Sequence, residues 1–293
     1  MIVLLFLAQT VRIAIPYLFA AAGGAIAERA GIISLTLEGF MLGGAFGAVL
    51  GAHYTGSPWL GLLSGIAAGL LLGAVHAIAS IRFKADQVVV GVAINLFVVG
   101  STRFFLQLAF GSSSNSPRVT GFGGENVGGS AAAFLANPLV WLGLAAMPVV
   151  ALVIGKTRFG LRVRAVGEHP QAAASVGVPV NRVRYVAVLA SGALAALGGV
   201  YLALDQHQFT DSMTAGRGFI ALAAVIFGRW DPVRAGVACM LFAAAETLQI
   251  QLQGAQIIPS QFVAMIPYVL TIVAVAGVVG RSAPPAALGR PSE

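Results

Sequence analysis

The chain has 293 residues, 58% of them hydrophobic and only 9% charged, with a mean hydropathy of +0.90; soluble domains carry about 25% charged residues. This excludes a soluble enzyme, a nucleic-acid-binding module and a disordered chain, because 17 Lys and Arg against 10 Asp and Glu are too thinly spread to form a polyanion-binding face. The net charge of +7 is therefore read as membrane topology.

Crossing a bilayer takes about 20 apolar residues, and suitable stretches run over residues 1–27, 31–52, 58–81, 86–111, 138–155, 185–204, 235–253 and 259–280. The expectation is an all-α integral membrane protein, a polytopic bundle of about eight full spans in one domain over residues 1–293. Residues 218–228 are apolar but number only 11, which suits a short half-helix enclosed by the bundle. Residues 1–8 lack the basic region that opens a cleavable signal. The single cysteine, Cys239, lies in an apolar stretch and allows no intrachain disulfide.

Direction follows from residues 156–184, where Lys156, Arg158, Arg162, Arg164, Arg182 and Arg184 face only Glu168. The positive-inside rule places this segment in the cytoplasm. Alternation then adds Arg29, Arg82, Lys84, Arg229, Arg234, Arg281 and Arg290 to the inside and leaves Arg118 and Arg217 outside, with Arg12 and Arg103 within spans. The partition is this lopsided only if residues 218–228 count as a crossing. It puts the N-terminus outside and residues 281–293 in a cytoplasmic tail. The pattern of the second to fourth spans recurs with reversed direction from residue 218 onward, as in an inverted repeat.

Gly39, Gly43, Gly47 and Gly51 recur every fourth residue, as do Gly61, Gly65, Gly69 and Gly73. Such stripes let two antiparallel helices pack closely. Ionisable groups in mid-span are costly, about 2.5–3.5 kcal/mol on insertion scales, so Glu38 and Glu246 stand out. Gln249 and Gln253 share the helix face of Glu246, and Gly91, Asn95, Thr102 and Arg103 form a second stripe. Glu38, Asn95, Glu246 and Gln249 are thus candidates for the wall of a solute pathway. Hydrogen bonds to neighbouring helices would serve the same residues, and the sequence leaves both readings open. His53, His76, His169 and His207 have no metal-ligand spacing, so neither metal nor cofactor is expected.

Within residues 156–184, Gly167, Glu168 and His169 precede Pro170, which stands where a first helical residue is favoured; alanines including Ala173 follow, and Gly177 and Pro179 end the run. A two-turn helix of this kind is unstable alone and docks on something. A solvated connector and a contact with anionic headgroups are the other readings.

The stretch Glu28-Arg29-Ala30-Gly31-Ile32-Ile33-Ser34-Leu35-Thr36-Leu37-Glu38-Gly39 resembles the signature of permease subunits of ATP-binding cassette importers for nucleosides and simple sugars, relatives of the ribose and branched-chain amino-acid permeases. Residues 85–95, 164–170 and 216–230 agree with that family in the same order. The resemblance implies a bacterial cell-membrane permease that moves a nucleoside or simple sugar. It also implies that Glu168–Val176 is a coupling helix for a cytoplasmic ATP-binding subunit, through Gly167, Glu168, His169, Pro170, Ala173 and Gly177. Further partners are a second, non-identical permease, an extracytoplasmic solute-binding protein and the lipid bilayer, with no nucleic acid. The chain has no Walker A sequence, so it is not itself an ATPase. The rival reading is a transporter driven by an ion gradient, with Glu38 or Glu246 as the ion-linked carboxylate. A membrane-embedded enzyme would need a nucleophile or metal cluster that the sequence does not offer.

Overall fold

The computed structural model describes residues 2–122, 134, 136–255, 265 and 283–290. Among these residues are ten α-helices: α1 (Ile2–Arg29), α2 (Leu37–Thr55), α3 (Pro58–Ala77), α4 (Gln87–Phe110), α5 (Pro138–Lys156), α6 (Arg158–Glu168), α7 (Pro170–Ser175), α8 (Val180–Asp205), α9 (Arg217–Phe227) and α10 (Pro232–Ala255). A π-helical turn, Ile78–Arg82, extends α3. The starts of α4, α5 and α6 carry side-chain caps that satisfy free backbone N–H groups. Asp86 accepts from Val88 and Val89, Asn137 from Leu139, and Thr157 from Gly160. Proline occupies the first turn of α3, α5 and α7, where its missing N–H is harmless.

Among the described residues, six helices are long and apolar enough to cross a membrane: Leu5–Arg29, Pro58–Arg82, Gln87–Phe110, Pro138–Lys156, Val180–Asp205 and Pro232–Gln253. This is fewer than the eight expected, for two reasons. The expected second span is α2, in which Glu38, His53 and several glycines dilute the apolar character. The expected last span, residues 259–280, lies outside the described residues but for Met265. The start of α2 also moves from residue 31 to Leu37, because Gly31 takes φ +88° and turns the chain. In place of a plain basic loop after α5, the chain forms α6, an amphipathic helix that buries Val163 and Val166.

Although α2 falls short of a membrane-crossing helix, most of its residues are buried by protein, so it needs little lipid-compatible surface. A Cβ on Gly44 would lie 2.6 Å from Ala196 Cα of α8, and one on Gly47 3.0 Å from both Ala68 Cβ and the Ser64 carbonyl oxygen of α3. From the other side, a Cβ on Gly61 would lie 2.7 Å from the Ala48 carbonyl oxygen. Gly65 approaches Val200 of α8 as well as α2, and Gly69 packs against Ala196 and Gly192 of α8. The Ser64 hydroxyl donates to the Gly47 carbonyl at 2.8 Å, a polar bond at the contact. The opposite side of α3 carries Trp59, Leu63, Leu71 and Val75, all exposed, as a lipid-facing surface requires.

At one end of the bundle the segment after α4 pairs with the segment after α8. Ser116 N donates to Phe209 O at 2.9 Å, Val119 N to His207 O at 2.8 Å, and Asp211 N to Ser114 O at 2.8 Å. This pairing carries the chain from α8 into the short helix α9.

Candidate translocation and coupling site

A helix N-terminus presents free N–H groups and partial positive charge, and α9 has no side-chain cap of its own. Glu38, in the first turn of α2, supplies one from a distance. It accepts the Thr214 hydroxyl at 2.5 Å, Gly216 N at 2.9 Å and Gly218 N at 2.7 Å. Gly216 takes φ +83°, and a Cβ on Gly218 would lie 2.6 Å from Glu38 Cα, so the approach depends on both glycines. Arg217, between them, forms an ion pair with Glu246 at 2.8 Å, the two side chains 21% and 19% exposed. The Tyr17 hydroxyl also donates to Glu246. Both carboxylates singled out for the solute pathway are therefore committed to the same helix end.

The face of α4 that carries Gln87, Gly91 and Asn95 grips the turn between α1 and α2. Gln87 Oε1 accepts Ile33 N at 2.8 Å. Gly91 admits Leu35 and Thr36, with a Cβ there 3.0 Å from Leu35 Cβ. Asn95 accepts Gly39 N at 2.8 Å and donates to the Leu35 carbonyl at 2.9 Å. Positions i, i+4 and i+8 of one helix thus contact the non-helical backbone of residues 33–36 and the first turn of α2. Arg103, assigned to the same stripe, departs from it: it is exposed and paired with Asp211 at 2.8 Å.

The other end of α9 is held by the residues that end α1. Trp230, in the left-handed region at φ 57°, donates its indole Nε1–H to Glu28 at 2.5 Å and receives Arg29 Nε on its carbonyl at 2.8 Å. Glu28 is 2% exposed and also accepts Ser34 N at 3.2 Å. On the far side of Arg29 lies Gly167, where any side chain would collide with the Arg29 carbonyl. The nearby crevice lined by Ser34, Thr36, His76 and Ser191 has room for about one water molecule, far below the roughly 300 Å³ of a small-molecule pocket.

The loop beyond Gly167 splits into an anchored side and an open side. Ala173 is 4% exposed and belongs to the core, whereas Glu168, His169, Gln171, Ala172, Ala174, Ser175 and Gly177 are exposed and Pro170 is half-buried. Val176 is 77% exposed, an apolar tip at the end of α7. Gly177 takes φ +82° and ends the helix.

The structure brings Glu38 and Glu246 to the start of α9, sets Asn95 against the turn before α2 and the first turn of α2, and leaves Gln249 half-buried one turn further along α10. Glu28, Thr214 and Trp230 also hold this region without a signal in helical periodicity, and Gln87 lies one turn before Gly91 on the stripe of α4. All but Thr214 lie inside the four stretches on which the resemblance rests. No group of three His, Cys, Asp or Glu side chains that could hold a metal occurs among the described residues.

A family model described as the permease component of branched-chain amino acid transport systems matches residues 6–275. The guanosine ABC transporter permease protein NupQ of Bacillus subtilis (strain 168) is 38% identical, over 96% of this chain and 94% of its own. The putative glucose ABC transporter permease protein TsgC13 of Haloferax volcanii is also 38% identical, over 84% of this chain and 77% of its own. In fold, the chain is similar to a solved inward-facing conformation of a putative metal-chelate type ABC transporter, with a TM-score of 0.55 at 14% identity over 92% of this chain and 84% of that one.

Proposed function

The chain belongs to the family of permease components of branched-chain amino acid transport systems and is a multi-pass membrane subunit of an ATP-binding cassette importer, and from that premise we propose that it forms, with a second, non-identical permease subunit, the route for a nucleoside or a simple sugar. A solute-binding protein delivers the solute from outside, and a cytoplasmic ATPase drives the cycle through α7. The route runs along the surface shared by the two permeases, with the face around Glu38, Asn95, Glu246 and Gln249 nearest to it. The tight glycine contacts among α2, α3 and α8 support this, since they leave no solute-sized space between those helices. Residues 1–293 act as one permease domain, with residues 156–184 as the coupling loop and 281–293 as a cytoplasmic tail.

The observation that carries the coupling role is the exposed tip of α7 on an anchored base. Val176 is 77% exposed while Ala173 is 4% exposed, and Gly167 abuts Arg29, which holds Trp230 after α9. Force applied at the tip has a packed route to the segment that caps both ends of α9. Coupling in this sense is a difference in how the ATPase contacts each permease state. The ion-gradient reading has less to rest on, because Glu38 already accepts from three donors and Glu246 from an arginine and a tyrosine.

The test places bulk on the open side of α7. Ala172→Trp and Val176→Asp are expected to insert and melt like wild type, to lose co-purification with the ATPase, and to lower uptake at least tenfold, because buried interface positions dominate docking. Full uptake by Ala172→Trp in ATP-depleted cells with an intact ion gradient would return the rival. Bulk at Ala173 would instead overpack the permease itself, because that side chain is buried.

A further inference from the structure

A six-residue helix offers far less surface than the 20–30 residues on each side of a standard protein interface. If α7 docks on the ATPase, a second patch fixed beside it is needed. Residues 283–290 provide one. Ala287 N donates to the Gly167 carbonyl at 2.9 Å and Gly289 N to the Gly31 carbonyl at 3.1 Å. Ala286 N donates to Glu168 Oε2 at 3.3 Å, and Arg184 Nη1 to the Arg290 carbonyl at 3.2 Å. The segment is thus tied to both residues that end α6 and to the turn that follows α1.

Its seat requires Gly31. A Cβ there would lie 3.0 Å from the Ala287 carbonyl oxygen and 3.1 Å from the Arg184 guanidinium, at a φ of +88° that already favours glycine. Arg184 is 1% exposed and its partners are main-chain carbonyls, those of Ala30 and Arg290. A buried cation held by carbonyl dipoles from two segments ties their positions together, because losing either leaves its charge less satisfied. Pro285 and Ala287 are buried, while Ala283, Pro284, Ala286 and Arg290 are exposed. The segment therefore has an anchored side and an open side, as α7 does.

We propose that residues 283–290 and α7 form one composite surface covered by the ATPase, with Val176 and Pro284 as apolar contacts and Arg290 as the cationic edge. The partner patch is then an apolar cleft with an acidic rim. The proposal rests on the reading of α7 as the docking helix, and the experiment separates the two. Ser175→Cys and Ala286→Cys, each in a Cys239→Ser background, are reacted with a bulky impermeant maleimide in the purified permease and in its complex with the ATPase. Both substitutions fall on exposed side chains and leave the backbone bonds in place. Both cysteines are expected to label freely in the permease and at least tenfold more slowly in the complex. Protection at Ser175→Cys with unchanged labelling at Ala286→Cys overturns the composite surface and leaves the docking helix standing. Unchanged labelling at both positions overturns the docking helix and the composite surface with it.

Discussion

A carboxylate inside a helical bundle is tolerated where donors surround it, and Glu38 meets three at the start of α9. Glu38→Gln keeps the shape but turns one acceptor into an NH2 facing backbone N–H groups. At least one buried donor is then unpaired, which costs about 1–3 kcal/mol. Thermal unfolding in detergent is expected to show that loss, and uptake to fall with it. Stability within error of wild type would mean that Glu38 does not hold α9. Glu38, Asn95 and Glu246 were legible in the sequence as polar residues at apolar depth, but their partners were not. Thr214, Gly216 and Gly218 lie 176–180 positions from Glu38, and helical spacing reports a face without reporting what meets it. Ala173 fails in the opposite way: its small side chain suits either a partner's cleft or the chain's own core, and the fold uses it in the core.

At the scale of elements, the glycine stripes make a sharper demand than propensity does, since glycine weakens a helix by about 1 kcal/mol relative to alanine. Gly47 lies where a Cβ would be 3.0 Å from α3, whereas a Cβ on Gly100 meets nothing within 4 Å. Gly47→Leu is therefore expected to force α2 and α3 apart, costing about 1–3 kcal/mol or more and lowering the yield of monodisperse protein. Gly100→Leu should purify like wild type. Equal yields for the two variants would remove close packing as the reason for the stripe. The longer helices were legible because twenty apolar residues leave few alternatives. Two features were not. The basic charges of residues 156–168 masked the apolar face that makes α6 a helix, and the enclosure of α2 is a property of its neighbours rather than of its own sequence.

Over the whole molecule, the four stretches that resemble the permease family converge on one segment. Residues 87–95 hold the turn after α1, Gly167 packs on Arg29, and residues 214–230 are gripped by Glu38 at one end and by Glu28 and Arg29 at the other. The same geometry sorts the cations by end. Arg29, Arg184 and Arg290 gather around Gly31 and Trp230, while Arg12 and Arg103 pair with Asp205 and Asp211, which flank the segment joined to residues 114–119. The two basic residues left within spans by the alternation of charge thus bond to the segment that the alternation assigns to the outside. Ser113 is exposed beside that segment and Ser175 is exposed on α7, so the two positions report on opposite faces. With Cys239→Ser as background, an impermeant maleimide added to intact cells is expected to label Ser113→Cys and to spare Ser175→Cys until the membrane is opened. Labelling in the reverse order would invert the orientation of every helix and move α7 beyond reach of a cytoplasmic ATPase.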